Sequence, residues 1–245
     1  MKFVRGGLQM TTIRDCIAPD RNPKVPSIKL PEGSIDTHVH IFESQYPLFE
    51  GRGYNPPDST LDDLKHLHSQ LGVSRVVYTQ PSPYGVDNSA ILKGMKVMND
   101  ETPGRARGVC AIKMDVSDDF LEDLDKQGIK GVRLNMDNIG GMPIGLDEIP
   151  TLEARIKDLG WHVEYLFPGK DIVELAPIFK KSSVPISIAH FAYQPATNGI
   201  NSEGFKTLLD LVRDGNTWIK ISGANRVSET DLPPYDDVMP MARAL

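Results

Sequence analysis

The feature that most constrains the fold is a repeat in which a short apolar run is followed by an amphipathic segment, from Ser34 to the end of the chain. In such an alternation, parallel strands are joined by right-handed helical crossovers. Most of the amphipathic segments have apolar residues three or four positions apart, which predicts helices. The apolar runs predict strands at 34–42, 73–80, 106–112, 130–136, 161–167, 185–191 and 217–223. The sequence therefore predicts an α/β fold.

Two architectures contain such a sheet, a closed (β/α)₈ barrel and an open doubly wound sheet. No G-x-G-x-x-G follows the first strand and no G-x-x-x-x-G-K-[ST] occurs, which favours the TIM-like barrel. The strand spacing places an eighth strand at residue 241 or beyond, and the sequence ends at Leu245. We therefore expect a barrel domain at 34–245 that is truncated after its seventh strand and helix. The proline-rich residues 1–33 are expected to form an N-terminal arm.

The composition of the chain indicates which classes of molecule it binds. The 27 basic and 33 acidic residues give a net charge of −6, which argues against a nucleic-acid or anionic-membrane surface and favours a small-molecule substrate. No apolar stretch approaches the roughly 20 residues of a membrane span. The two cysteines, Cys16 and Cys110, cannot build a disulfide framework, which suits the cytoplasm. The oligomeric state stays open.

Three histidines are the strongest candidates for chemistry. His38 and His40 lie near the carboxyl end of the first strand, where a period of two turns both rings to one face. Neutral imidazole is a common ligand of Zn²⁺ and similar ions, and barrel active sites lie at the carboxyl ends of the strands. His190 ends the sixth apolar run, where a third ligand or a general base would be useful. Alternatively, the pair is polar packing at the barrel mouth.

The remaining histidines are predicted to have no catalytic role. His66 and His68 have the same spacing but lie on a helix, where two positions subtend about 200°, so both are assigned to a solvated face. His162 begins the fifth strand, at the end away from the site, and is predicted to be structural. Asp36 is expected to share the face of His38 and His40 one step deeper and to orient a ligand imidazole.

Cationic and polar side chains at other strand ends suggest an anionic substrate. Arg133, Lys220 and Arg226 lie in or beside the fourth and seventh strands, and a guanidinium binds a carboxylate in bidentate geometry. Internal salt bridges are the alternative for each cation. The loop after the second strand offers Gln80, Ser82 and Asn88 as substrate contacts, or as ordinary turn residues. Glu164 in the fifth strand is a ligand, a base or an ion-pair partner, and periodicity does not choose.

Several segments together resemble the amidohydrolase superfamily, in particular its metal-dependent hydrolases that act as lactonases of pyrone dicarboxylates and sugar acids. They are DTHVHIF, TQPSPYGVDN, GVRLN, the strand-end His190, WIKISGANR and PYDDV, in this order from about Lys29 onward. The resemblance implies a distorted barrel and hydrolysis of a small carboxylated lactone or related ester-like bond. It also implies that His38, His40 and His190 match the family's catalytic histidines, which bind Zn²⁺ or Mn²⁺ in some members, whereas the dicarboxylate lactonase works without a metal. Arg133 and Arg226 match arginines near substrate carboxylates.

The sequence departs from that family in two places. Ala189, His190 and then FAYQP stand where the family has Asp-His and a Gly-Arg-Pro-like turn. No segment corresponds to the eighth-strand W-G-x-D-W-P that carries the family's catalytic Asp, so we expect the 245-residue chain to be inactive or nearly so. Two other functions compete with lactone hydrolysis: a metal-dependent decarboxylase of an aromatic or muconate-like acid, and an incomplete barrel that binds without turnover.

Overall fold

The computed structural model describes residues 13–137 and 144–245. Seven parallel strands form one sheet, and their spatial order is their order along the chain. The strands are β1 (Ile35–Val39), β2 (Arg75–Thr79), β3 (Ala106–Cys110), β4 (Ile129–Asn135), β5 (His162–Leu166), β6 (Ile186–Ile188) and β7 (Thr217–Ile219). Each begins within two residues of the start predicted from the apolar runs. The α/β class is therefore confirmed.

Within the described residues seven α-helices follow the strands, and several of them pack on one face of the sheet. They are α1 (Leu61–Leu71), α2 (Ser89–Glu101), α3 (Asp118–Lys126), α4 (Ile149–Ile156), α5 (Ile172–Phe179), α6 (Glu203–Arg213) and α7 (Met239–Ala244). Their ends carry local signals: the Thr60 side chain accepts from the backbone N–H of Asp63 at the start of α1, and Gly72 ends that helix at φ 76°. Pro240 lies in the first turn of α7, where a missing N–H costs no hydrogen bond.

The two faces of the sheet differ in chemistry. The convex face packs against the helices and contains the apolar core, as in the pair Tyr165 and Phe179, whose ring centroids are 4.7 Å apart. On the concave face, Arg133 pairs in register with Glu164, and Glu164 with Ser187. Because residues in register on parallel strands point to the same side, this polar row lies inside the curve of the sheet. The concave face therefore holds the polar candidates.

Within the described residues the sheet is an open half-barrel, consistent with a truncated TIM-like barrel, with β1 and β7 at its two edges. One side chain crosses between the edges: the ammonium of Lys220, just after β7, donates to the Thr37 carbonyl in β1 at 3.0 Å. On the concave face of β7, Trp218 is 71% exposed. The edges are thus linked by a side chain, while apolar surface remains open beside them.

The described part of the predicted arm, residues 13–33, lies against the body through a few contacts. Arg14–Asp15 pairs in parallel with Tyr54–Asn55, and Arg21 forms an ion pair with Asp63 at 2.6 Å. The first twelve residues of the predicted arm lie outside the described residues. None of the helices in the described ranges is both long enough and apolar enough to cross a membrane.

Candidate active site

The carboxyl ends of five strands bring six polar side chains together on the concave face. The ring centroid of His38 lies 4.9 Å from that of His40 and 4.9 Å from that of His190. A buried carboxylate and two cations adjoin these rings. We call this set the inner cluster: His38, His40, Arg133, Glu164, His190 and Lys220. The three histidines named from the sequence thus lie beside one another.

An irregularity in β1 decides which of its side chains reach the inner cluster. Asp36 pairs with Val76, but the next pair is Val39 with Tyr78, so β1 accommodates one extra residue as a β-bulge. Asp36 and Val39 consequently both face the helices, whereas His38 faces the concave side. The expectation that Asp36 shares a face with His38 is wrong, because the bulge breaks the period of two.

Asp36 instead contacts a histidine of helix α1. The Nε2 atom of His68 lies 3.3 Å from a carboxylate oxygen of Asp36, and His68 is only 2% exposed. The assignment of His68 to a solvated helix face is therefore wrong, although His66 is exposed as expected. Since the two residues point apart on the helix, only one of them can face solvent. His162 has a structural contact, its Nδ1 lying 2.8 Å from the Lys130 carbonyl.

Glu164 is the carboxylate of the inner cluster and forms ion pairs with both of its cations. Its side chain is completely buried, one carboxylate oxygen is bonded to the Lys220 ammonium, and the other lies 3.5 Å from Nε of Arg133. Burial alone raises the pKa of this carboxyl, but the charges of Lys220 and Arg133 outweigh burial and hold the pKa below its usual value. Of the three roles left open from the sequence, the structure gives Glu164 that of an ion-pair partner.

His38 at the end of β1 and His40 just after it are uncharged around neutral pH. Burial, with the positive charge of Arg133, lowers the pKa of His40 to about 3. Burial and the neighbouring His40 and Lys220 lower the pKa of His38 far below its ordinary value. The Nδ1 atom of His40 lies 2.8 Å from the Thr79 carbonyl, and that of His38 lies 3.0 Å from the Lys220 ammonium. The site thus offers neutral imidazoles held by hydrogen bonds.

A left-handed turn positions His190. The sixth predicted strand ends early, at Ile188, because all four residues from His190 to Tyr193 have φ between 49° and 53°. Such a run is costly for residues with a Cβ and persists only where the surroundings impose it. Gly169 packs against this turn so closely that a Cβ there would collide with the Tyr193 carbonyl. His190 Nδ1 then lies 3.0 Å from the Ser222 hydroxyl, and burial lowers the pKa of His190 to about 4.

The two arginines occupy different environments. Arg133 is 4% exposed and donates from Nη1 to the Gln80 carbonyl at 2.9 Å. Arg226 is exposed, donates to the Tyr193 hydroxyl at 3.1 Å and lies over the Tyr193 ring. Both guanidinium charges act on the partly buried Tyr54 hydroxyl, whose pKa is raised by burial and lowered in part by these cations. Arg133 therefore lies at the base of the site and Arg226 at its rim.

The polar residues after β2 are engaged mainly with the protein itself. Gln80 donates from Nε2 to the carbonyls of Gly85 and Asp87 at 3.0 and 2.7 Å. The Asn88 amide donates to the Ala111 carbonyl at 2.8 Å and accepts from the Ala111 N–H at 3.0 Å. These bonds tie the loop to the end of β3. Ser82, also buried, interacts with the Tyr54 hydroxyl.

The charge of the inner cluster disfavours a divalent cation. Nδ1 of each of its three histidines is engaged, by Lys220, the Thr79 carbonyl or Ser222, so only the Nε2 atoms could serve as ligands. Within the described ranges, no three His, Cys, Asp or Glu side chains form a group that could hold a metal ion. The cations Arg133, Arg226 and Lys220 outnumber the one carboxylate, Glu164, so a further double positive charge would be repelled. We therefore expect the site to act without a metal.

Sequence reasoning missed several groups that complete the site. Thr79 and Ser222 hold the histidine rings, and Tyr54 and Tyr193 form walls beside the arginines. A period of two from Lys220 could have pointed to Ser222. Tyr193 lies within the segment that follows the sixth apolar run. Tyr54 lies in a distant loop, and no local pattern marks it.

The parallel strands form a half-barrel, and ionisable side chains are grouped near the strands' carboxyl ends. This combination of fold and site is that of the α/β-barrel enzymes. The family model described as "Amidohydrolase" matches residues 35–245. The chain therefore belongs to the amidohydrolase family.

Two curated relatives act on lactones. The 2-pyrone-4,6-dicarboxylate hydrolase of Comamonas testosteroni is 34% identical over 232 residues, which cover 91% of this chain and 75% of the relative. The 4-sulfomuconolactone hydrolase of Hydrogenophaga intermedia is 33% identical over 233 residues, which cover 94% of this chain and 75% of the relative. These relatives give no support to the expectation that the present chain is inactive.

Solved structures agree on the fold. An apo crystal structure from Agrobacterium tumefaciens matches with a TM-score of 0.79 and 27% identity, covering 89% of this chain and 78% of that one. An amidohydrolase from Burkholderia multivorans crystallised with bound zinc matches with a TM-score of 0.61 and 14% identity, covering 86% of this chain and 78% of that one. The second likeness shows the fold alone.

Proposed function

We propose that this protein hydrolyses a small lactone that carries at least one carboxylate or similar anionic group. The observation that carries the proposal is the charge of the site: three neutral histidines lie among more cations than anions. Arg133 is buried at the base, Arg226 lies at the rim, and the single carboxylate of Glu164 is already paired. A site with uncompensated guanidinium charge favours an anionic substrate.

The histidines supply the groups that ester hydrolysis needs. Water adds to the lactone carbonyl carbon, and negative charge develops on the carbonyl oxygen. The ring C–O bond then breaks, and the proton that the water has lost goes to the departing ring oxygen. A neutral imidazole N–H, or a guanidinium, stabilises the developing charge when it is placed beforehand at that oxygen. We assign this part to His38, His190 and Arg133, because the rings of His38 and His190 lie 4.9 Å apart and Arg133 is buried at the base of the site.

We assign His40 the role of orienting the water that attacks the lactone. Its Nδ1 atom faces the Thr79 carbonyl, which only accepts, so the proton lies on Nδ1 and the lone pair on Nε2. An unprotonated nitrogen in the cluster can accept a hydrogen bond from water and orient it toward the carbonyl carbon. With a pKa of about 3, His40 orients the water more than it deprotonates it.

The related hydrolases support this substrate class, because the dicarboxylate and sulfo groups in their names are anionic. The two free cysteines, Cys16 and Cys110, fit a reducing compartment, and we place the activity in the cytoplasm. No partner besides the substrate is proposed.

The test is hydrolysis of 2-pyrone-4,6-dicarboxylate, 4-sulfomuconolactone and an uncharged lactone by the purified chain and by Arg226→Met. We expect ring-opened acid from an anionic lactone, and a rise in KM for Arg226→Met that is larger for anionic than for neutral substrates. The matched control is Arg213→Met, which removes an exposed arginine paired with Asp210 on α6. Equal losses on neutral and anionic lactones would make Arg226 a structural residue.

The same assay separates the competing functions. Release of carbon dioxide with no ring-opened acid would indicate the decarboxylase. Binding of the anionic lactone without any product, measured by calorimetry, would indicate a barrel that binds without turnover.

A further inference from the structure

Lys220 is the one cation of the inner cluster that touches a histidine nitrogen. Its ammonium carries three N–H donors and no acceptor. The structure provides three acceptors: the Thr37 carbonyl at 3.0 Å, His38 Nδ1 at 3.0 Å, and a carboxylate oxygen of Glu164. Every donor of the ammonium is therefore matched to a partner, and its orientation is determined by contacts with two strands, β1 and β5.

These contacts determine where the proton of His38 lies. Because an ammonium only donates, His38 Nδ1 must accept and must be unprotonated. The competing arrangement, with a proton on Nδ1 donated to Glu164, is disfavoured because that carboxylate oxygen is 3.6 Å away, beyond hydrogen-bond distance. The neutral ring then carries its proton on Nε2, which is buried and has no hydrogen-bond partner in the described structure.

We propose that Lys220, held by Glu164, is a positioning residue that fixes His38 in its Nε2–H form, so that His38 offers a donor to the substrate's carbonyl oxygen. A buried donor without an acceptor is costly, and a substrate oxygen that enters between the rings removes this cost. The contact is also stronger there than in water, because the surroundings are poorly polarisable. The kinetic part of this inference rests on the proposed lactone hydrolysis, while the proton position does not.

His40 shows the opposite arrangement only two residues away. The Thr79 carbonyl requires a proton on Nδ1 of His40, which leaves its Nε2 as an acceptor. Lys220 and Thr79 thus make one histidine a donor and its neighbour an acceptor. Two identical side chains acquire different roles from their hydrogen-bond partners.

The first measurement is nitrogen NMR of the histidine rings in the whole protein without substrate. The His38 signals are assigned by their loss in His38→Gln. We expect a protonated Nε2 and an unprotonated Nδ1 for His38 in the wild type, and the same in Lys220→Arg, which keeps a charged donor. In Lys220→Met we expect the proton to move to Nδ1, toward Glu164. A wild-type His38 protonated on Nδ1 would overturn the proposal.

The second measurement is turnover of an anionic lactone by the same variants. Lys220→Met should lower kcat by about 100-fold or more, the usual effect of losing one donor to the developing oxyanion, with a smaller change in KM. Lys220→Arg should recover part of the lost kcat. The control Lys180→Met, which removes one partner of an exposed ion pair with Asp214, should leave kcat unchanged. If Lys220→Met keeps both the Nε2–H form and normal turnover, Lys220 does not position His38. If the wild type hydrolyses no lactone, the proposed function fails while the NMR result still decides the proton position.

Discussion

Replacement of Glu164 by glutamine should be among the most destabilising single changes in this protein. The variant keeps the shape of the side chain but removes the one carboxylate that, among the described residues, forms an ion pair with Lys220 and Arg133, whose side chains are 13% and 5% exposed. Two buried cations are then left without a counter-charge. Removing one partner of a buried ion pair costs about 3–5 kcal/mol, and the presence of two cations places Glu164→Gln at the upper end of that range.

Urea unfolding followed by circular dichroism measures this cost. With a slope of roughly 3 kcal/mol per molar urea, a loss of about 4–5 kcal/mol lowers the midpoint by about 1.3–1.7 M. The control is Asp100→Asn, which removes one partner of an exposed ion pair with Lys96 and should change stability by less than about 0.5 kcal/mol.

A double variant tests whether the loss comes from the unpaired charge. Adding Lys220→Met to Glu164→Gln removes one of the stranded cations, so the double variant should be more stable than the sum of the two single changes predicts. A cost below about 1 kcal/mol for Glu164→Gln, or strict additivity in the double variant, would refute the electrostatic reasoning.

Three further outcomes are expected. Gly169→Ala should displace the turn that carries His190 and lower turnover at least about tenfold, because its Cβ would collide with the Tyr193 carbonyl; an unchanged rate would show that the turn adapts. Between pH 7 and pH 5 the free energy of unfolding should fall by about 2 kcal/mol through His40 alone. The pKa of His40 is 6.5 in the unfolded chain and about 3 in the folded protein, so below pH 6.5 the unfolded state binds a proton that the folded state does not. In His40→Gln this contribution to the pH dependence of stability should be absent. Treatment with EDTA should leave turnover unchanged, because the cations of the inner cluster oppose metal binding, and a loss restored by zinc would contradict that argument.

The positions of the strands and helices were predictable because they depend on local patterns. Apolar runs and amphipathic segments identify buried strands and half-buried helices wherever they occur. Capping residues such as Thr60 and Gly72 then set helix ends. The grouping of His38, His40 and His190 was predictable for a topological reason, since parallel strands bring all their carboxyl ends to one edge. The positions of the elements and the grouping of the histidines can therefore be predicted without knowing which residues are in contact.

The faces of individual side chains were harder to predict. A period of two placed Asp36 with His38, but the bulge in β1 turned Asp36 toward the buried His68 of α1. A bulge arises from the fit between neighbouring strands, so the sequence of one strand does not reveal it. The left-handed turn at His190 was likewise hidden, because none of its four residues is glycine.

The α/β alternation, the order of the strands and the residue types at their ends all follow from the amino-acid sequence. Which of these residues interact depends on the fold: Lys220 contacts Glu164, 56 residues away along the chain, and Thr37, 183 residues away. The physical reason is that hydrophobic periodicity acts along the chain, whereas pairing of buried charges and the proton positions they impose depend on distances of a few ångströms in the folded protein. Those distances made His38 a donor, His40 an acceptor and Glu164 the counter-charge of two cations.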